Sequence, residues 1–256
     1  MNKNQSFIVD QMSVEIFSSD DLLGQAAADH LAEILKNAVH KHGETSVILA
    51  TGNSQLPFMK ALRKKQDVPW ERVYCFHMDE YLGMSIEHTA SFRRYIQEQI
   101  VDHVHPKAFF GIEGDAEDIE AELTRYRDLL AKYPPVATVL GIGENGHLAF
   151  NDPPADFKTK EVIHIVNLDD ACRWQQVNEG HFPTFESVPT HAISLTVPAL
   201  ISPPNVLAIV PEKRKAVAVE RSLNGPITPD CPASLLRTLS HVRLYLDFES
   251  ASLLEK

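Results

Sequence analysis

The segment Gly141-Ile-Gly-Glu-Asn-Gly-His147-Leu-Ala-Phe-Asn-Asp152 joins a glycine-rich turn to an imidazole and, five residues further on, a carboxylate. A histidine placed directly after such a turn, at the end of a strand, stands exposed in a cleft. Asp152 is close enough in sequence to hydrogen-bond that ring, and a carboxylate partner fixes the tautomer and stabilises the protonated form. A second acidic signal is His77-Met-Asp79-Glu80-Tyr81. Adjacent carboxylates at a strand's carboxyl end allow one of them to enter a cleft as a general base. A third segment, Thr51-Gly52-Asn53-Ser54, has the makings of an anion cradle. Gly52 permits close backbone approach, and the Thr51 and Ser54 hydroxyls join the amides of a helix start.

Taken singly, each of these has an ordinary explanation: a satisfied His–Asp pair, two solvated loop charges, a Ser/Thr-capped turn. Gly141, Gly143 and Gly146 also match the GxGxxG spacing of dinucleotide sites. That fingerprint needs a full helix after its last glycine, and Pro153-Pro154 stops any helix too early. The glycines therefore read as the mounting for His147. A phosphate cradle, a carboxylate base and a carboxylate-supported histidine at neighbouring strand ends suit proton transfer on a phosphorylated sugar.

The elements that must position them are short apolar runs alternating with amphipathic stretches. Thr45–Ala50, Arg72–His77, Val136–Gly141, Ala192–Leu195, Val206–Val210 and Val242–Leu246 read as buried strands. Helices are expected from a cap at Asp20 or Asp21 to about His40, from Asp115 to about Leu130, from about Leu56, and from Lys213 to Leu223. The alternation predicts an α/β fold: one domain over 1–256, with a Rossmann-like, mostly parallel sheet and helices on both faces. In such folds ligands bind beyond the carboxyl ends of the strands, at the topological switch.

The formal net charge of -11 argues against nucleic acid and anionic membrane as partners, since no compensating basic patch is visible. The cysteines, Cys75, Cys172 and Cys231, are odd in number and widely spaced, with no CxxC, so neither a disulfide framework nor a thiolate metal site is indicated. The N-terminus lacks a signal-peptide core and no apolar run is long enough to span a membrane. A reduced, cytoplasmic protein is expected.

At these same residues the sequence resembles the glucosamine-6-phosphate deaminase/isomerase family over nearly its whole length. The matching stretches include Leu49–Ser54, Met78-Asp-Glu-Tyr-Leu-Gly83, Ser91-Phe92, Gly141–Pro153 and the pair Lys215-Ala216. The resemblance implies isomerisation and deamination of a hexosamine 6-phosphate, of the glucosamine or galactosamine type, to a ketohexose 6-phosphate and ammonia, without a cofactor or metal. His147 would assist ring opening, Asp79 would move a proton between C2 and C1, and Thr51–Ser54 with Lys215 would hold the phosphate. The family often has Asp where this chain has Asn145, Glu where it has Asp152, and a second glycine where it has Asn53. Asn145 can orient His147 by a hydrogen bond. A lid-like segment at about 155–185 usually ends in a phosphate-binding arginine. Asn178 stands there, and Arg173, one or two turns earlier, is the candidate replacement.

Related 6-phosphogluconolactonases share the scaffold but carry different acidic and histidine loops, so a lactonase or a non-deaminating isomerase is the alternative. A sugar-phosphate-sensing module is disfavoured by the retention of Asp79 and His147. The family includes monomers and larger assemblies, which leaves a homo-oligomer open.

Overall fold

The computed structural model describes residues 5–178 and 180–254. The strands are β1 (Gln5–Val9), β2 (Met12–Phe17), β3 (Thr45–Leu49), β4 (Val73–His77), β5 (Asp79–Tyr81), β6 (Ala108–Phe110), β7 (Ala137–Leu140), β8 (Ile163–Asn167), β9 (His191–Leu195), β10 (Val206–Val210) and β11 (Val242–Asp247). The α-helices are α1 (Asp20–His42), α2 (Leu56–Leu62), α3 (Phe92–Ile96), α4 (Asp102–Val104), α5 (Ile119–Lys132), α6 (Asp170–Asn178), α7 (Val197–Ile201) and α8 (Ala216–Asn224).

An eight-stranded sheet runs in the order β1-β2-β11-β10-β7-β3-β4-β6. Its pairs are parallel except β1 with β2. Successive residues of the central strands enter cores on opposite faces. Val47 and Leu49 pack with Leu31, Leu35 and Phe58 of α1 and α2, whereas Ile48 packs with Tyr126 and Leu130 of α5. Burial on both faces is why these strands are continuous apolar runs in the sequence. From β3 the chain steps outward through β4 and β6, then returns to the other side of β3 as β7. The switch point therefore lies between β3 and β7, and both strands end in the loops singled out above.

Ala192–Leu195 departs from expectation. It forms β9, the centre of a separate three-stranded sheet, β5-β9-β8, with antiparallel pairing on both sides. Ile193 and Leu195 face one core and Ala192 another, so this antiparallel strand is as buried as a parallel one and its sequence looks the same. The stretch read as lid-like, 155–185, includes β8, bonded into this small sheet, and α6.

Helix α1 begins one residue earlier than its expected cap. Ser19 accepts a hydrogen bond from the Leu22 N–H, and Asp20 and Asp21 occupy the first turn, where negative charge suits the helix dipole. Gly43, at φ 82°, closes the other end, its N–H donating to the Val39 carbonyl. In mid-helix, Gly24 lies against the start of α2. A Cβ there would meet Phe58 N and Pro57 C at 2.7 Å. This contact sets the height of α2 and of the Thr51–Ser54 loop that feeds it. Gly24→Ala gains about 1 kcal/mol of helix propensity but forces backbone apart at a cost of roughly 1–3 kcal/mol. We expect net destabilisation, read as a lower denaturant midpoint at unchanged slope in urea unfolding.

Candidate functional site

The loops after β3, β4, β7 and β10 meet in one cleft. It is lined by Thr51, Gly52, Asn53 and Ser54, by Asp79, by Gly141, Gly143 and His147, and by Lys215. These sequence-derived candidates thus lie together, as a doubly wound sheet requires of residues at its strand ends.

The first loop leaves β3 through Gly52, at φ 99°, a backbone that favours glycine, and tightens into a 3-10 turn, Asn53–Gln55, before α2. Two side chains hold it from beneath. Gln55, fully buried, donates through Nε2 to Ser54 Oγ (3.2 Å) and to the Ile209 carbonyl of β10 (3.2 Å). Tyr95 Oη donates to the Gly52 carbonyl at 2.9 Å. Because Ser54 Oγ accepts from Gln55, its own proton is available to a ligand.

The acidic segment divides its labour. Met78 alone separates β4 from β5. Side chains alternate along β5, so Asp79 and Glu80 point to opposite faces. Asp79 lines the cleft yet is only 6% exposed. Burial first, and the neighbouring Glu80 charge second, push its carboxyl well above the usual range. Glu80 turns inward and is fully enclosed. Its carboxylate accepts from the backbone N–H of Tyr81, Phe92 and Arg93 and from Ser91 Oγ, at 2.7–3.1 Å. It therefore anchors the start of α3. Burial raises its pKa too, against these opposing hydrogen bonds. His77 is structural as well: its Nε2 accepts from the Ile112 N–H at 2.7 Å. Burial, then the charges of Arg93 and Arg125, bring its pKa down to about 3, which keeps it neutral.

The glycine loop is built around the His147 ring. A Cβ on Gly143 would lie 2.2 Å from His147 Cε1, so the imidazole rests directly on the glycine backbone. Gly146 takes φ 93° above Cys231, whose Sγ would be 2.9 Å from a Cβ. His147 Nδ1 stands 3.1 Å from Asp152 Oδ1. Asn145 completes the unit without touching the ring: its Oδ1 accepts from the His147 backbone N–H (3.0 Å) and its Nδ2 donates to Asp152 Oδ1 (3.1 Å). Burial disfavours charge on Asp152, but His147 and then Asn145 outweigh it and hold the carboxyl below its usual range. His147 itself is among the residues that line the cleft.

Lys215 is 5% exposed at the cleft, on the 3-10 turn Lys213–Lys215 that leads into α8. Arg173 is a correction: it is not among the cleft-lining residues. Its Nη2 donates to the carbonyls of Phe185 (2.9 Å) and Val188 (3.1 Å), and its guanidinium lies 3.9 Å over the Phe185 ring. It latches α6 to the segment that follows. Three cleft residues escaped the sequence reading: Gln176, His181 and Arg214. Gln176 is fixed by Tyr81, whose hydroxyl donates to its Oε1 at 2.7 Å. Only Arg214 carried a signal, its adjacency to Lys215. Among the described residues, no group of three or more His, Cys, Asp or Glu side chains is arranged to hold a metal ion.

The state of Asp79 has a measurable consequence. Its folded-state pKa lies above that of the unfolded chain, so the folded protein holds the proton more tightly. Its contribution to stability is full below the ordinary carboxyl range near pH 4 and is lost as pH rises towards the folded-state value. Asp79→Asn imitates the protonated form. It should be more stable than the parent at neutral pH, by about 1 kcal/mol, with the gap closing on acidification to about pH 4. Urea unfolding across that range checks this, and a gap that widened on acidification would contradict it.

The sequence and the fold have recognisable relatives among known proteins. Residues 18–245 match the family model described as glucosamine-6-phosphate isomerases/6-phosphogluconolactonase. A glucosamine-6-phosphate deaminase of Bacillus cytotoxicus is 33% identical over 242 residues, covering 94% of this chain and 89% of that protein. The enzyme of that name from Exiguobacterium sibiricum is 35% identical, covering 87% and 86%. Among solved structures, a monomeric glucosamine-6-phosphate deaminase superposes with a TM-score of 0.85 at 31% identity, covering 94% of this chain and 99% of the other. A 6-phosphogluconolactonase from Shewanella baltica shares the fold, with a TM-score of 0.77 at 18% identity. The chain belongs to the glucosamine-6-phosphate isomerase/6-phosphogluconolactonase family.

Proposed function

We propose that the chain is an amino-sugar-phosphate deaminase that converts glucosamine 6-phosphate and water to fructose 6-phosphate and ammonia. The observation that carries this is the meeting, in one cleft, of a desolvated carboxyl on Asp79 and an Asp152-supported His147 beside a loop suited to phosphate. The substrate follows from the relatives' names.

The Thr51 and Ser54 hydroxyls and the Lys215 ammonium hold the phosphate, which places the sugar carbons over Asp79. His147 returns a proton to the ring oxygen as the ring opens, with Asp152 stabilising the imidazolium that precedes it. Asp79 takes the proton from C2 and delivers it to C1, while a proton passes from the amine to the C1 oxygen, leaving an imine at C2 and a hydroxyl at C1. Water adds to that carbon and ammonia departs. A carboxyl with a raised pKa is a stronger base and also holds the proton between the two carbons. Asn145 positions rather than reacts, through the His147 backbone and Asp152. The segment 155–185, which contributes Gln176 and His181, covers the bound sugar. A phosphorylated substrate and buried free cysteines fit work in the cytoplasm.

The decisive experiment is a panel of hexosamine 6-phosphates assayed for both ammonia and ketose phosphate. Release of both from glucosamine 6-phosphate is expected, and no turnover of any hexosamine would overturn the proposal. Ketose phosphate without ammonia would make it an isomerase. Asp79→Asn and His147→Gln should each lower kcat by about 10²–10⁴-fold, the range for removing a general acid or base, with ligand binding retained in calorimetry.

A further inference from the structure

A chain with a formal net charge of -11 has to hold a phosphate dianion. Among the described residues lining the cleft, Lys215 and Arg214 carry permanent positive charge, and Asp79 is the carboxylate. Both cations come from the turn that leaves the carboxyl end of β10. Two acidic side chains are among the groups that hold Arg214. Its Nε donates to Glu212 Oε2 at 2.5 Å and its Nη1 to Glu144 Oε1 at 3.2 Å. Glu144 belongs to the glycine loop, three residues before His147. Glu212 holds φ 82°, a left-handed backbone that costs a residue with a Cβ, and its N–H donates to Asp247 Oδ2 at 3.1 Å. The strained residue is thus the one that grips Arg214, and such strain concentrates at ligand clamps.

We propose that Arg214 is a second phosphate-binding residue and sets the preference of this cleft for phosphorylated ligands. The proposal rests on the reading above that the substrate is a sugar phosphate. A guanidinium fork can meet two phosphate oxygens at once, which the single Lys215 ammonium cannot. Arg173, with its Nη2 engaged by two carbonyls, lies outside the cleft. Glu144 is 44% exposed at its side chain, and an ion pair so open to water is weak. Phosphate entering beside Lys215 displaces the Glu144 carboxylate from Nη1, while Glu212 keeps the guanidinium in place through Nε.

The test uses the full chain, with calorimetric titration of inorganic phosphate alongside steady-state kinetics. Arg214→Met should weaken phosphate binding roughly ten- to a hundredfold, the loss expected for a charge-assisted hydrogen bond. It should raise KM for glucosamine 6-phosphate by a similar factor with kcat nearly unchanged, as for lost uniform binding. Glu144→Gln weakens one competitor for Nη1 and should tighten phosphate or leave it within about twofold. A mere tether between loops would suffer alike from either cut, so equal weakening in Glu144→Gln overturns the assignment. So does phosphate affinity unchanged in Arg214→Met. Should that variant not fold, Arg214→Lys decides: several-fold weakening supports the fork, and none overturns it. A parent protein that binds phosphate but turns over no hexosamine phosphate would sink the proposed function while leaving Arg214 to be judged by titration.

Discussion

Everything at this site depends on keeping one carboxyl, that of Asp79, out of water while leaving it open to a ligand. Desolvation raises the affinity of Asp79 for a proton, and it is also unfavourable for the folded state whenever the group ionises. The fold supports this arrangement with the small antiparallel sheet. Its strand β9 pairs Ser194 with Asp79, and Glu80 on the reverse face is clamped by three hydrogen-bond donors at the start of α3 and by the N–H of Tyr81. A second buried carboxylate beside the first is tolerable only because its partners are fixed.

Opposite Asp79, the glycine loop solves a steric problem. His147 must sit over a backbone so closely that no Cβ fits at Gly143, and the turn must reverse at Gly146 where Cys231 leaves no room. Two such demands a few residues apart give the spacing that otherwise marks a nucleotide site. Asp152 and Asn145 then fix the ring from behind. Of the two, only Asp152 bears charge, and that charge is set against the imidazole rather than against solvent.

The strands β3, β4, β7, β10 and β11 of the main sheet were legible because burial on both faces leaves continuous apolar runs, whereas β1, β2 and β6, which lack a continuous buried run, were not; the switch point follows from strand–helix alternation. The candidate loops were legible because strand ends are where such sheets bind ligands. Three further features were not. The parallel or antiparallel nature of β9 leaves no trace in a strand that is buried on both sides. Arg173 and Arg214 are both arginines near plausible loops, and only the carbonyls of Phe185 and Val188, brought together by the chain's return, separate them. The choice between Asp79 and Glu80 depends on pairing with β9, more than a hundred residues away.

That last dependence reaches into how this protein can change over time. A single residue, Met78, carries the chain from the large sheet to the small one. Inserting or deleting one residue there would present Glu80 to the cleft and turn Asp79 inward, towards donors spaced for a longer side chain. Lineages of this protein should therefore be free to lengthen the loop between β5 and α3, yet keep the junction of β4 and β5 at constant length.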